Sequence, residues 1–431
     1  MKNAQIKQKF LNASESIGSQ ICKNAFWKDK QCNWIGRFID NPYAVPEIST
    51  TLYSKALGPE LYDGTSGIAL FLSHLYLLTR REEYRRTAEG AITHALLHFK
   101  DLESISRFGF YAGYVGIGYS AVKSGLILNN QRLVDQGMGI FKKLSLNKKS
   151  EHLMDVISGN AGAIPALLEM YDYFHEKMLY DLSLHLGNEL VSSAIKNKKG
   201  WSWNSIVNGV QLTHKNLTGL SHGAAGIGYS LLELFRKTDK KEFLEGAEQA
   251  FAYENQWFSK KNGNWPDFRI MTNVDIASTR TKDKPSYAMA WCHGAPGIAL
   301  SRLRAFEVLN KSIYLKDARA AINTTIKFIK QNGIVHRSNY SLCHGLAGNS
   351  ECLIYASKLL HDTNYKLLAD NVGINGIDNY QDGSLPWPCG IQSGQTPGLM
   401  IGLSGIGYFY LRLHDSSLIP SILIISQAPN D

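Results

Sequence analysis

Seven stretches of the chain share one pattern of glycine and apolar positions. Each has two glycines three residues apart, and apolar residues at helical spacing follow the second glycine. The second glycines are Gly67, Gly116, Gly162, Gly226, Gly297, Gly348 and Gly405. Successive second glycines are therefore 49, 46, 64, 71, 51 and 57 residues apart. Intervening segments such as residues 81–99 and 240–258 carry apolar residues every three or four positions, which predicts a second helix in each repeat.

A period of about fifty residues is typical of a repeat protein, in which each unit buries its apolar face only against its neighbours. One unit has room for two helices and their loops. The sequence therefore predicts an all-α fold: an α/α toroid (barrel) of seven helical hairpins, about fourteen helices in all, with the glycine turns gathered at one end of the central hole. We expect residues 1–60 to form a helical lead-in that packs on the barrel, and residues 61–431 to form the toroid.

Composition and charge narrow the class of protein. Hydrophobic residues make up 44% and charged residues 19% of the 431, as in a folded globular chain. The formal net charge of +9 is dispersed, so we expect mild attraction for an acidic peptide and no nucleic-acid binding. The amino terminus has no apolar signal segment, and no apolar run is long enough to cross a bilayer. These features predict a cytoplasmic protein, and leave open peripheral membrane association through a biosynthetic complex.

Three of the glycine turns carry residues that can bind a metal. One contains His222, and two contain the Cys-His pairs Cys292-His293 and Cys343-His344. Cysteines in a reducing compartment are poor disulfide candidates, whereas thiolate and imidazole suit zinc. Two such pairs at equivalent repeat positions predict one zinc site. Four ligands would make that site structural, and three would leave a position open for a substrate.

The motifs around these turns resemble those of the lanthionine synthetase C-like cyclases. The resemblance lies in "GLSHGAAGIGYS", "AWCHGAPGIALSRLRA" and "SLCHGLAGNSECL". Further stretches, "LGPELYDGTSGIALFL", "NWPDFR" and "PGLMIGLSGIGYFYLRL", resemble the cyclase domain of the class II lanthipeptide synthetases. The likeness extends from about Trp27 to Ser421. It implies an α/α toroid, in agreement with the repeat pattern.

The resemblance also assigns roles to residues. It implies that Cys292, Cys343 and His344 are the zinc ligands, and that His293, which occupies a tyrosine position of the nisin-type cyclases, is an active-site neighbour. It further implies that His222 is catalytic. The implied metal site is therefore open.

The implied reaction joins a cysteine thiolate of a peptide to the β-carbon of a dehydroalanine or dehydrobutyrine in the same peptide, which closes a (methyl)lanthionine ring. Zinc would allow the cysteine to bind as a thiolate at neutral pH. His222 would protonate the α-carbon, Asp155 would orient His222, and His293 would give a second polar contact to the enolate or the sulfur. The alternatives are that His222 and Asp155 only cap their turns and helices.

Two departures from the family pattern affect these expectations. The nisin-type enzymes carry an arginine where this chain has Ala288, and either Arg269 or Arg302 could replace its charge.

The segment 260–286 is polar and has no helical period, so it is a candidate substrate lip.

The second departure concerns partners. Class II synthetases carry a large dehydratase ahead of the cyclase, and residues 1–60 are too few for one. We expect either a stand-alone cyclase with a separate dehydratase or a part of a longer synthetase. The expected partners are a dehydrated precursor peptide, with its leader and cysteine-containing core, and also an export transporter.

Two other functions compete with the cyclase hypothesis. α/α Toroids also serve carbohydrate-active enzymes, but these need paired carboxylates, and none of Asp63, Asp155 and Asp267 pairs with another acid at an equivalent repeat position. A non-catalytic LanC-like protein that binds zinc and a thiol such as glutathione, as a scaffold or sensor, is the main alternative.

Overall fold

Helices dominate the computed structural model, which describes residues 2–39, 52–147, 153–204, 215–269, 285–332, 338–391 and 394–426. The predicted helical character is confirmed. The described helices are α1 (Lys2–Lys23), α2 (Thr65–Thr79), α3 (Glu82–His98), α4 (Tyr114–Leu128), α5 (Gln131–Leu146), α6 (Asn160–Phe174), α7 (Lys177–Ser192), α8 (Ala224–Thr238), α9 (Lys241–Asn255), α10 (Ala295–Leu309), α11 (Ser312–Asn332), α12 (Leu346–Leu359), α13 (Thr363–Tyr380) and α14 (Leu403–His414). Two short 3₁₀ helices, Phe99–Asp101 and Ser104–Ser106, follow α3.

The helices pack as pairs. Helices α2 to α13 form six hairpins of consecutive helices, and the seventh pair joins α14 to α1 at the other end of the chain. Phe10 and Ile17 of α1 are fully buried, and the Ser14 hydroxyl donates to the Gly407 carbonyl of α14 (3.1 Å). The first helix of the chain thus supplies the outer partner of the last one.

The even-numbered helices α2 to α14 form the inner layer. Each contacts the next even-numbered helix, and α14 contacts α2. Their residues are apolar or small almost all round; in α2 every residue from Thr65 to Leu75 is buried. A helix that is apolar on all sides lies in a core. The outer helices instead carry charged residues on one face, as in α3 and α9.

The repeated second glycine has one structural cause. Each is the third residue of an inner helix, and the turn before that helix folds back so closely that a backbone carbonyl occupies the place of a Cβ. At Gly116 a Cβ would lie 1.7 Å from the Phe110 carbonyl oxygen, and at Gly226 it would lie 2.0 Å from that of Leu220. The equivalent distances at the other five glycines are 1.8 to 2.3 Å. Only glycine fits this turn.

Backbone hydrogen bonds join the seven turns into a closed circle, which we name the turn ring. Each turn donates one N–H to the carbonyl of the next. The bonds run from Tyr62 to Tyr111, Tyr111 to Ile157, Val156 to Ser221, Ser221 to Cys292, Cys292 to Cys343, Cys343 to Met400 and Met400 to Tyr62, with N···O distances of 2.6 to 3.3 Å. The side chains of equivalent turns therefore face one another at this end of the inner helices.

The structure also contains strands that the sequence pattern did not predict. They form three two-stranded antiparallel sheets: β1 (Phe26–Lys28) with β2 (Gln31–Asn33), β3 (Ile35–Ile39) with β4 (Leu52–Ala56), and β5 (Ile195–Asn197) with β6 (Gly200–Ser202). In register, Trp27 faces Cys32, Arg37 faces Ser54 and Lys196 faces Trp201. Strands of three to five residues are too short to give a clear alternation.

Two further expectations concern loops and membranes. Most of the candidate lip lies outside the described residues; its first part, up to Arg269, folds back through bridges between Ser259 and Asn264 and between Asp267 and Ser286. Among the helices described above, none combines the length and apolar character needed to cross a bilayer.

Candidate functional site

The turn ring places five of the six predicted site residues at two adjacent positions of the repeat, and Asp155 lies two residues before the ring position of the third repeat. The ring position holds Tyr62, Tyr111, Ile157, Ser221, Cys292, Cys343 and Met400. The position after it holds the predicted histidines His222, His293 and His344, and also Asp63 in the first repeat. Repeat symmetry therefore gathers residues that are distant in the chain: Tyr62 and Met400 share a backbone hydrogen bond (2.6 Å).

A cavity of about 510 Å³ opens on this end of the inner helices. It is lined by Glu60, Tyr62, Asp63, Leu102, Glu103, Ser106, Ala112, Ile157, Ser221, His222, Arg269, Cys292 and Cys343. Three of the six predicted site residues, His222, Cys292 and Cys343, thus line one cavity. Its size suits a short peptide loop.

The two thiols of the predicted metal site are neighbours. The Cys292 thiol donates a hydrogen bond to the Cys343 sulfur, which lowers the pKa of Cys343 and raises the pKa of Cys292, where burial acts in the same direction. A hydrogen bond from Tyr62 and the charge of Arg269 also lower the pKa of Cys343, whereas at Cys292 the Arg269 charge only offsets part of the rise. One sulfur of the pair is therefore prepared to carry negative charge, as a metal ligand does.

His344 lies beside the thiol pair in sequence, and its ring points to the Gly390 carbonyl. Its Nε2–H donates to that oxygen (2.8 Å), because a carbonyl can only accept. In a neutral imidazole this leaves the lone pair on Nδ1. Metal-binding histidines commonly have one ring nitrogen held by a carbonyl in this way.

The donor set fits zinc in its chemistry, while its geometry is only partly assembled. Within the described ranges, no three His, Cys, Asp or Glu side chains lie close enough together to hold a metal ion. The structure brings Cys292 and Cys343 together and leaves His344 at the edge, facing Gly390. Two thiols and an imidazole with a free Nδ1 lone pair are ligands that zinc accepts.

His222 and Asp155 form a direct pair across two repeats. His222 Nδ1 and Asp155 Oδ2 are 2.6 Å apart, and the two side chains are 26% and 15% exposed. The other oxygen of Asp155 accepts the Ser158 backbone N–H (2.7 Å), which fixes the carboxylate. Because Asp155 accepts, Nδ1 carries a proton, and Nε2 is the ring nitrogen that this pair leaves available. Asp155 thus both caps its turn and orients His222.

His293 lies behind the cavity and not on its wall. It is 1% exposed, and its ring stacks on that of His222, with 5.9 Å between ring centroids and 28° between planes. Its Nδ1 is 4.0 Å from Asp267. Burial, with a contribution from Arg269, lowers the pKa of His293 to about 3, so the ring is neutral at physiological pH.

The two candidate arginines have different places. Arg269 lines the cavity, and buried Asp267 holds its guanidinium through Nε (3.1 Å) and Nη2 (2.7 Å). Arg302 is fully buried beneath the site, over the Phe251 ring and beside Glu254 and Asp317. Arg269 is therefore the one of the two whose charge faces the cavity.

Sequence reasoning missed three residues of this site. Glu254 of α9 accepts the backbone N–H groups of Gly219 (3.0 Å) and Ala225 (2.9 Å), on either side of His222. Glu60 lines the cavity next to Asp63; burial, and then the neighbouring Asp63 charge, raises the pKa of Glu60. Asp63 was open to prediction, because it occupies the histidine position of its repeat. Glu60 was open to prediction too, because it lies two residues before its ring position, as Asp155 does in the third repeat. Glu254 lies off the repeated turns and gave no signal.

Comparison with known proteins gives consistent results. Residues 55–424 match the family described as "Lanthionine synthetase C-like protein". Lacticin 481/lactococcin biosynthesis protein LcnDR2 of Lactococcus lactis subsp. lactis is 24% identical over 94% of this chain, which spans only 41% of that protein's length. Nisin biosynthesis protein NisC of the same organism is 24% identical over 75% of the chain and 80% of its own length.

Two further matches extend the comparison. Glutathione S-transferase LANCL1 of Danio rerio is 35% identical over 33% of this chain and 31% of its own length. Among solved structures, nisin cyclase has the same fold, with a TM-score of 0.59, 20% identity, and coverage of 83% of this chain and 89% of that one. The family match covers residues 55–424, which is most of this chain, and the chain therefore belongs to the lanthionine synthetase C-like protein family.

Proposed function

We propose that the protein is a zinc-dependent lanthipeptide cyclase, with an α/α toroid of seven helical hairpins around a central zinc site. One observation carries this proposal: the His222–Asp155 pair and the Cys292–Cys343 thiol pair line or adjoin the same cavity. A histidine held by a carboxylate is suited to proton transfer, and a buried thiol pair is suited to metal binding. Both are needed when a thiol adds to a carbon–carbon double bond.

The metal would be held by Cys292, Cys343 and the Nδ1 atom of His344. When bound there, zinc would lower the pKa of a peptide cysteine so that it enters as a thiolate. The chain's own residues already favour negative charge at this place. Arg269 lies on the cavity wall, and its ion pair with Asp267 keeps it in position.

The ring-closing step is an isomerisation in which no atoms are gained or lost overall. The cysteine gives its S–H proton to water, a bond forms between sulfur and the β-carbon of the dehydrated residue, and the α-carbon takes a proton from a donor that water then reloads. We assign His222 Nε2–H as the donor to the α-carbon, with Asp155 stabilising the charged imidazole. Arg269 faces the cavity, where negative charge develops on the carbonyl oxygen. We propose that neutral His293 supports the His222 ring from behind.

The proposal also concerns organisation and partners. We propose that residues 1–60 are a lead-in, with α1 completing the last hairpin, and that residues 61–431 are the cyclase domain in the cytoplasm. The substrate would be a dehydrated precursor peptide with a leader and a cysteine-containing core. A separate dehydratase would supply it, and an exporter would remove the product.

A second candidate is thiol binding without ring closure. It is supported by the match to a relative named as a glutathione S-transferase over a third of the chain. The same thiol pair, arginine and histidine would accept glutathione. The two candidates differ in whether the thiol and its acceptor belong to one peptide.

A single assay separates the candidates. The purified protein is incubated with zinc, glutathione and a peptide that contains one dehydrobutyrine and one cysteine, and free thiols are then alkylated and counted by mass spectrometry. A cyclase protects the cysteine from alkylation without a change in peptide mass. A glutathione-binding protein leaves the peptide thiol open, and adds glutathione to the dehydrobutyrine or binds it unchanged. If the peptide thiol disappears no faster with the protein than without it, the cyclase proposal is rejected.

A further inference from the structure

The chain returns to the middle of the molecule after α14. Residues 419–425, here named the C-terminal segment, have the sequence "IPSILII". Four of its apolar side chains, Ile422 to Ile425, are 8% exposed or less, and Ile419 is fully buried. Arg412 of α14 donates to the Ile419 carbonyl (2.6 Å) and so fixes the place at which the segment enters.

Aromatic side chains from four repeats hold the backbone of this segment. Each donates one hydrogen bond to a carbonyl oxygen. The bonds run from Tyr408 to Pro420 (2.9 Å), Tyr111 to Ile422 (2.6 Å), Trp291 Nε1 to Leu423 (2.9 Å) and Tyr229 to Ile425 (2.5 Å). The four donors are 4% exposed or less. A segment without regular secondary structure is thus bonded to repeats on several sides of the core, which satisfies carbonyls that would otherwise be buried without partners.

The segment lies directly beneath the turn ring. Leu423, Ile424 and Ile425 share a cavity of only about 20 Å³ with residues of the second, third and fourth repeats, among them Phe110, Val156 and Leu220. A cavity of this volume has room for about one water molecule. The C-terminal segment therefore fills most of the space beneath this part of the turn ring.

Two of the four donors belong to the turn ring itself. Tyr111 occupies a ring position, and Trp291 directly precedes Cys292. The two rings meet edge to face, with centroids 5.1 Å apart. Trp291 is fully buried, so the peptide unit that leads to Cys292 has the C-terminal segment as its support. The other two donors, Tyr229 and Tyr408, lie on the inner helices α8 and α14.

We propose that the C-terminal segment is a positioning element of the candidate metal site: the carbonyls of Ile422 and Leu423 fix Tyr111 and Trp291, and these fix the spacing of Cys292 and Cys343. The statement about the metal rests on the proposed function. The statement about the thiol pair does not, because two thiols at a fixed short distance can be tested without zinc.

The experiment compares two double variants that each remove two hydrogen bonds to the same segment. Tyr111→Phe with Trp291→Phe removes the donors on the turn ring. Tyr229→Phe with Tyr408→Phe removes the donors on inner helices and is the matched control. All proteins are full-length and carry Cys22→Ser, so that Cys22 and its neighbour Cys32 cannot bind a dithiol reagent.

Two affinities are measured for each protein. One is for zinc, by competition with a chelator. The other is for phenylarsine oxide, which condenses with two neighbouring thiols to a cyclic dithioarsenite and releases water; Cys343→Ser must abolish this binding. We expect the turn-ring variant to lose about 10-fold or more in both affinities, as is usual when support around metal ligands is removed. The matched control should stay within about 2-fold of its parent.

Each outcome decides the proposal. Equal effects of the two double variants, or no effect of either, would overturn it. If the parent binds the arsenical but no zinc, the metal assignment fails, and the arsenical affinities alone decide the positioning role. If a double variant does not fold, the single variants Tyr111→Phe and Tyr408→Phe replace the pair under the same criterion.

Discussion

His222 and Asp155 come from different repeats, and their 2.6 Å contact is created by the turn ring. The same circle of backbone bonds brings Cys292 next to Cys343. The sequence allowed these residues to be predicted because each occupies a repeated position or matches a family motif. The sequence pattern does not reveal the contribution of Glu254, a residue of α9 that accepts two backbone hydrogen bonds from the region around His222. Residues that act on a turn from the outer helix of a repeat occupy no repeated motif position and leave no periodic trace.

Replacement of Asp155 should impair proton transfer without removing the metal. Asp155→Asn keeps the size of the side chain but no longer stabilises a charged His222 ring, so ring closure should slow by about 10² to 10⁴-fold. Zinc content should stay at the wild-type level. Steady-state rates on the dehydrated peptide and elemental analysis test this. Asp172→Asn, which breaks the Lys237 ion pair on helices away from the cavity, is the control. A wild-type rate in Asp155→Asn would leave Asp155 as a turn residue.

Replacement of one thiol should empty the proposed metal site. Cys343→Ala removes a proposed ligand and the hydrogen-bond acceptor of Cys292, so bound zinc should fall well below one per chain. Cys352→Ala, a buried cysteine of α12 outside the cavity, should retain zinc. Inductively coupled plasma analysis of both proteins gives the comparison. Full occupancy in Cys343→Ala would exclude Cys343 as a ligand.

At the scale of elements, the positions of the inner helices follow from the second glycines. Every one of these glycines is the third residue of its helix, because a folded-back carbonyl leaves no room for a Cβ. This is why the repeat could be read from a single sequence. The short strands could not be, because three to five residues give no reliable period. The turn that carries His222 further depends on α9, through Glu254.

Removal of the Glu254 carboxylate should weaken both the fold and the site. Glu254→Ala leaves the buried N–H groups of Gly219 and Ala225 without an acceptor and deprives Arg302 of a neighbouring charge. We expect a loss of about 3 kcal/mol or more in the free energy of unfolding, measured by denaturant titration. Glu248→Ala on the same helix, which breaks the exposed ion pair with Lys311, should cost less than about 1 kcal/mol. Equal costs would show that the two backbone contacts are unimportant.

At the scale of the whole molecule, contacts between distant parts of the chain complete the structure. Helix α1 pairs with α14 across almost the full length of the sequence, and the C-terminal segment fills the core beneath the turn ring. The repeat count predicted seven hairpins, yet the described residues after α14 form no helix, and α1 is its partner. Pattern analysis predicts local helices well, but the identity of a distant partner depends on packing that no single window contains.

The core also contains a histidine whose burial makes stability depend on pH. Burial lowers the pKa of His74 to about 4, and nearby Lys123 acts in the same direction. Its Nδ1–H donates to the Leu70 carbonyl (2.9 Å), and its ring packs against Tyr408. The unfolded chain takes up this proton near pH 6.5, so acid favours unfolding. Stability is fully present above pH 6.5 and falls as the pH is lowered towards 4.

The contribution of His74 can be isolated by comparing two pH values. Between pH 7 and pH 5 the wild type should lose about 2 kcal/mol of unfolding free energy through this residue. His74→Phe removes the titrating group and should lose correspondingly less, whereas His414→Gln, at the partly exposed end of α14, should behave as the wild type. Urea titrations at both pH values provide the test. An unchanged pH dependence in His74→Phe would mean that His74 is not protonated on unfolding in this range.

The central claim, that this cavity closes thioether rings with His222 as the proton donor, is tested most directly by the reaction in D₂O. A peptide with one dehydrobutyrine and one cysteine is incubated with the zinc-loaded protein, and the product is analysed by mass spectrometry and chiral chromatography. We predict one deuterium per ring, on the α-carbon and in one configuration, and a strong loss of rate with His222→Asn. Ring closure no faster than without protein, or both configurations in equal amounts, would contradict the claim.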